Sequence, residues 1–164
     1  MRDEAAQAIG ARLASLYAEI RSGPMQGVSI CNAALDVEAV GFRGFGERAL
    51  GVIVTPWFMN LVLAAAPDSP QEGRPGGRLS ITLPAGDVEF ICGALEGFGV
   101  IYSCSLFSPM FGFADMAAAR ETAAAAISAL FNPAMLDELG PAPASVDRRA
   151  LLRGQLVSAK EAPP

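Results

Sequence analysis

The stretch Val88-Glu89-Phe90-Ile91-Cys92-Gly93-Ala94-Leu95, Glu96-Gly97-Phe98-Gly99, Val100-Ile101-Tyr102-Ser103-Cys104-Ser105-Leu106-Phe107 decides the fold. Two runs rich in β-branched and aromatic residues flank a glycine-bearing tip, which is the signature of a β-hairpin. With Gly97-Phe98-Gly99 as a three-residue loop, Glu96 faces Val100 and Cys92 falls opposite Cys104. Side chains alternate across a strand, so Val88, Phe90, Cys92, Ala94, Val100, Tyr102, Cys104 and Leu106 share a core-like face. Glu89, Ile91, Gly93, Leu95, Ile101, Ser103, Ser105 and Phe107 form the mixed opposite face.

Strand signals extend upstream of the hairpin. The run 35–42 alternates like a half-buried strand, with Arg43-Gly44 as its turn. Ala49-Leu50-Gly51-Val52-Ile53-Val54 is continuous and apolar, as in a strand covered on both faces. Thr55-Pro56 reads as a cap and first turn, making Trp57-Phe58-Met59 one helical turn or a corner. Leu61-Val62-Leu63 resumes as a strand, 68–77 is a loop rich in Pro and Gly, and Leu79-Ser80-Ile81-Thr82-Leu83 alternates again. Helices bracket these strands. Ile9, Leu13, Leu16, Tyr17 and Ile20 recur at helical spacing, with Asp3 as N-cap and Gly23-Pro24 as the stop. Over 114–131, Met116, Ala119, Ala123, Ile127 and Leu130 trace one face behind an Asp115 cap. The expected class is α+β: an antiparallel meander flanked by an N-terminal and a C-terminal helix. One domain is expected over 1–164, compact to about 132, with an extended tail over 133–164 carrying a short arginine-rich motif.

Composition narrows the chemistry. The chain has 164 residues, 52% hydrophobic and 18% charged, with a net charge of −5. A disordered chain does not carry that much apolar material, and an acidic one lacks the cations that bind a phosphate backbone. No histidine is present and Lys160 is the only lysine. Histidine triads, histidine metal sites and a Schiff-base lysine within the fold are therefore excluded, and the expectation is a protein that is not an enzyme and holds no cofactor. Cys31, Cys92 and Cys104 are odd in number and form no C-x-x-C pair, so a zinc or disulfide framework is not expected. No span of about 20 apolar residues and no signal peptide is read, and the expected location is the cytoplasm.

Three segments are candidates for binding a partner protein. Thr55-Pro56-Trp57-Phe58-Met59 is an aromatic–methionine group; the sequence leaves open whether it fills a core corner or forms a platform of the kind enriched in interface cores. Ser103, Ser105, Ser108 and Pro109 line the end of the hairpin on its mixed face or just beyond it. Arg148, Arg149, Leu151, Leu152, Arg153 and Gly154 place three guanidinium groups near two leucines, suited to gripping carboxylates. Cys92 and Cys104, on the apolar face, read as small hydrophobes, with a thiol-based redox or metallocentre-protecting role as the alternative.

Gly51-Val52-Ile53-Val54-Thr55-Pro56-Trp57-Phe58-Met59, Tyr102-Ser103-Cys104-Ser105-Leu106-Phe107-Ser108-Pro109-Met110 and Arg148-Arg149-Ala150-Leu151-Leu152-Arg153-Gly154, in that order, resemble the HybE/HupJ family. The resemblance runs over nearly the whole chain. It implies a cytoplasmic accessory chaperone for nickel–iron hydrogenase maturation. Its partner would be a hydrogenase subunit precursor, the small subunit with its signal peptide or the large subunit, held before export or cofactor completion. Some relatives carry an added rubredoxin domain with two C-x-x-C pairs; this sequence has neither pair.

Overall fold

The computed structural model describes residues 1–70, 72–132 and 134. Helix α1 spans Asp3–Ser22, followed by six strands: β1 Glu38–Phe45, β2 Arg48–Val54, β3 Met59–Ala65, β4 Arg78–Leu83, β5 Gly86–Leu95 and β6 Gly99–Phe107. Helix α2, Met116–Phe131, closes the order. The fold is α+β. All six strands form one antiparallel sheet in the order β1-β2-β3-β6-β5-β4. Two three-stranded meanders therefore meet through β3 and β6, and the loop after β3 carries the chain to the far border.

The sheet separates two apolar clusters. On one face Leu50, Val52, Leu61, Leu63, Val88, Phe90 and Cys104 pack with Ala119, Ala123, Ile127 and Leu130 of α2. On the other, Ile53, Val62, Leu95 and Ile101 pack beneath Ala6, Ile9, Leu13 and Tyr17 of α1. The alanine run on α2 brings that helix close to the strands. Its Asp115 cap accepts from the Ala118 N–H at 2.8 Å.

Three local expectations change. Asp3 is the first helical residue, and Arg2 occupies the N-cap position without a side-chain bond. The Asp3 carboxylate instead accepts from the Gly44 N–H at 3.0 Å, tying the helix start to the β1–β2 hairpin. The turn expected at Arg43-Gly44 lies later, at Gly46-Glu47, because β1 continues through a bulge. Val40 pairs with Val52 and Arg43 with Leu50, so two residues, Gly41 and Phe42, oppose the single Gly51. Gly41 sits at φ 68°, and a methyl there would lie 2.8 Å from Ile127. Third, Leu95 pairs with Gly99, making the hairpin loop Glu96-Gly97-Phe98 and setting Cys92 opposite Tyr102, not Cys104. A slip of two residues preserves the faces, so Cys92 and Cys104 are still buried on the expected side.

The bulge turns Phe42 toward α1, where glycines receive it from both sides. A methyl at Gly51 would stand 2.3 Å from its ring and one at Gly10 2.7 Å. Gly51→Ala should therefore overpack the α1 side and lower stability by roughly 1–3 kcal/mol. Phe42→Leu in the same chain should recover part of that loss. Urea unfolding of the single and double variants checks this; strictly additive losses would count against the wedge.

Candidate functional site

Antiparallel order brings the β2–β3 corner and the exit of β6 to one end of the sheet. The corner is built by Thr55, which is fully buried. Its N–H donates to the Phe58 carbonyl at 2.8 Å and its hydroxyl donates to the same oxygen at 3.1 Å. The hydroxyl oxygen accepts from the N–H groups of Trp57 at 3.2 Å and Phe58 at 2.9 Å. Of the two shapes the sequence allows, Trp57-Phe58-Met59 takes the corner. Thr55 acts as an internal staple, and Pro56 is buried behind it.

The corner sends its side chains to opposite faces. Met59 is fully buried in the α2-side cluster, so Met59 and Thr55 shape the corner from within and offer no surface. Trp57 and Phe58 are half-buried toward α1, with Phe58 edge-to-face to Tyr17 at 5.4 Å and to Trp57 at 5.7 Å. The second motif lies alongside: Met59 pairs with Phe107 and Asn60 with Ser105. Ser103 is half-buried and Ser105 exposed on the α1-side face, while Ser108 and Pro109 are exposed in the loop beyond β6. The arginine motif, Arg148, Arg149, Leu151, Leu152, Arg153 and Gly154, lies outside the described residues.

Asn32 joins these loops. Its side-chain amide donates to the carbonyls of Met110 at 3.0 Å and Phe113 at 2.8 Å, both in the loop from β6 to α2. Its backbone N–H donates to Pro56 O at 2.8 Å, and its Oδ1 accepts from the Ala34 N–H at 3.0 Å. One residue, through its backbone and its side chain, thus fastens the α1–β1 loop, the β2–β3 corner and the β6–α2 loop together. Two of the three large apolar side chains exposed among the described residues stand on the loops it ties, Ile30 at 49% and Phe111 at 57%. The end of α1, the loop after it and the β2–β3 corner enclose a cleft of about 440 Å³, lined by Arg21, Met25, Val28, Cys31, Asn32 and Pro56 among others. The Cys31 thiol donates to the Met25 carbonyl at 3.5 Å.

Asn32, Ile30 and Phe111 were not legible as site residues. The stretch 27–34 has no period, and the one available signal is the tendency of Asn to bond its own backbone two residues on. The arrangement offers apolar anchors on braced loops, a geometry for holding a polypeptide. Among the described residues no three Cys, Asp or Glu side chains gather as a metal-binding group. None of the three cysteines is in a disulfide. The Cys104 thiol is pushed up to about 11, chiefly by burial and secondarily by the charge of Glu89, which holds it in the neutral form. No described helix is long and apolar enough to cross a membrane.

Comparison with known proteins agrees in sequence and in fold. The family described as NiFe-hydrogenase assembly, chaperone, HybE matches residues 8–154. The chain is 48% identical over 158 residues to the hydrogenase expression/formation protein HupJ of Bradyrhizobium diazoefficiens, covering 94% of this chain and 92% of that one. It is 43% identical over 115 residues to protein HoxT of Cupriavidus necator, covering 60% of this chain and 62% of that one. The solution structure of HybE from Escherichia coli superposes with a TM-score of 0.58 at 23% identity, over 74% of this chain and 75% of that one. That last likeness establishes a shared fold.

Two outcomes test the site's construction. Asn32→Leu leaves the Phe113 carbonyl and the Ala34 N–H without these partners, takes one of two donors from the Met110 carbonyl, and should lower stability by roughly 1–3 kcal/mol. The amide of Phe113 should then exchange with solvent faster, which amide exchange by NMR reads directly. Cys104 gives a pH dependence. Above its ordinary value of 9.0 the unfolded thiol releases its proton while the folded one keeps it, so the unfolded state binds fewer protons and stability falls as pH rises toward about 11. Cys104→Ala should flatten that part of the stability–pH curve; an unchanged slope would refute it.

Proposed function

This chain belongs to the HybE family of NiFe-hydrogenase assembly chaperones, and we propose that it holds a hydrogenase subunit precursor in the cytoplasm, before export or cofactor completion. The single observation that carries this reading is that Ile30 and Phe111 stand exposed on two loops that Asn32 bonds together. Large apolar groups held in water at fixed positions mark a protein-binding face, and aromatic anchors supply most of the energy of such contacts. The client is the small-subunit precursor with its signal peptide, or the large-subunit precursor. Ser108 and Pro109, on the same loop as Phe111, belong to the rim of this surface. Ser103 and Ser105 supply hydroxyls on the neighbouring face of the sheet. Arg148, Arg149 and Arg153, with Leu151, Leu152 and Gly154, extend the surface by gripping an acidic stretch of the client.

The alternative role for Cys92 and Cys104, redox exchange or protection of a metallocentre, is not favoured by their geometry. Both are buried, they do not face each other across the hairpin, and burial keeps the Cys104 thiol protonated. Protonated, enclosed thiols are poor nucleophiles and poor ligands.

Capture of precursor from hydrogenase-expressing cells, identified by mass spectrometry, tests the reading. Ile30→Asp with Phe111→Asp should reduce capture roughly tenfold or more, because charge replaces two desolvated anchors. Exposed positions tolerate such changes within about 0.5 kcal/mol, so the double variant should melt close to the parent. Undiminished capture by the folded double variant would remove the loop end from the binding surface.

A further inference from the structure

The sheet has two borders, and they are finished differently. At β1 the Gly41 bulge interrupts the line of backbone groups, and the Asp3 carboxylate occupies the Gly44 N–H. Arg120 of α2 clamps Glu38 there through bonds of 2.6 and 2.9 Å. Bulges, cover and fixed charge are the devices by which a border strand is kept from pairing with another chain. The other border, β4, shows no bulge and no covering element among the described residues. Its register with β5 runs without interruption from Arg78↔Ile91 to Leu83↔Gly86, and it contains no proline. Its one charge, Arg78, turns back to Glu89 at 2.7 Å.

The parity of the ladder shows which groups face out. The Cys92 N–H donates to the Gly77 carbonyl at 2.7 Å, so Cys92, Phe90 and Val88 address β4. Antiparallel pairing alternates, hence Leu79 and Ile81 complete the bonds to β5, while Ser80 and Thr82 direct their own N–H and C=O groups away from the sheet. No described strand lies beyond them. Leu79 and Ile81 are only half-buried against the α2-side cluster, leaving an apolar ledge at the rim of the core. Open backbone groups above an apolar ledge are complementary to one chemistry, an extended polypeptide with apolar residues at alternate positions.

We propose that β4 is a docking edge to which an extended segment of the client polypeptide adds as a further strand. Apolar side chains of that segment cover Leu79 and Ile81, and its polar ones line up with Ser80 and Thr82. The inference rests on the reading of this protein as a precursor-binding chaperone. A second copy is the weaker occupant, because a six-residue strand against its twin buries far less than the roughly 1,200 Å² a stable assembly needs. A client is not so limited. Antiparallel order places the Leu83 end of β4 at the end of the sheet where β6 leaves for α2, so one polypeptide reaches both the Asn32-braced loops and the edge.

Ser80→Pro tests this. The residue has no bond to β5 to lose, and proline is tolerated on a border strand, yet its ring removes the outward N–H and blocks an approaching strand. Purified small- and large-subunit hydrogenase precursors serve as probes, with affinity measured beside the melting temperature. Amide exchange at Ser80 and Thr82 is followed in the unsubstituted protein, so the result does not hinge on how the variant folds. Expected are slower exchange at both amides on adding precursor and a loss of affinity of roughly tenfold or more in Ser80→Pro. Three results overturn the docking edge: equal affinity of the variant, protection of both amides before precursor is added, which assigns the edge to this chain's own C-terminal residues, or protection that grows with protein concentration alone, which assigns it to a second copy. Binding lost in the Ile30→Asp, Phe111→Asp variant but kept in Ser80→Pro overturns the edge alone. Failure of both precursors to bind the unsubstituted protein overturns the chaperone reading and the edge with it.

Discussion

The ring of Phe42, held between Gly10 and Gly51, is the contact on which the rest of the structure depends. Without side chains at those two positions the helix and strand can approach to the thickness of one aromatic ring. The one-residue bulge makes this contact possible. Val40 packs on the α2 side and Phe42 on the α1 side, although residues two apart on a regular strand share a face. A sheet covered on both faces needs apolar side chains on both, and β1 meets that need by changing phase midway.

Much of this was legible in the sequence and some of it was not, for reasons specific to each element. The helices were plain because Ile9, Leu13 and Tyr17, and likewise Ala119, Ala123 and Ile127, repeat at a spacing that keeps to a single helical face. The faces of the β5–β6 hairpin were correct although its register was displaced, since a slip of two residues leaves parity unchanged. The displacement itself arose because Gly97 and Gly99 both hold positive φ, so either can mark the tip. The end of β1 was misplaced because a bulge ends the alternation without ending the strand. The burial of Met59 beside the partial exposure of Trp57 was beyond any periodicity, for both lie in a corner whose shape is dictated by the Thr55 hydroxyl. Asn32 is a clearer instance still. Its importance lies in bonds to residues 78 and 81 positions away, and no local pattern encodes such distances.

The same distances explain why the candidate surface is well defined despite being made of loops. A loop carrying Ile30 or Phe111 alone would pay in conformational entropy for presenting an apolar group to water. Joined through Asn32 to Pro56, Met110 and Phe113, the loops are ordered before any client arrives, so less freedom is lost on binding. The fold thus divides its parts: the helices secure the sheet from either face, and the connections at one end present the candidate surface.

The β5–β6 hairpin tip is secured by α1: Arg12 donates to the Gly97 carbonyl at 2.7 Å and lies over the Phe98 ring at 5.4 Å. These partners are 85 residues apart in the chain. Synthesis proceeds at roughly 5–20 residues per second, so about 4–17 s pass between the appearance of Arg12 and of Gly97, during which the apolar stripe of α1 lacks its full cover. The nascent protein is therefore, for that interval, itself in the condition of a chaperone's client: an amphipathic segment waiting for a surface that has not yet been made.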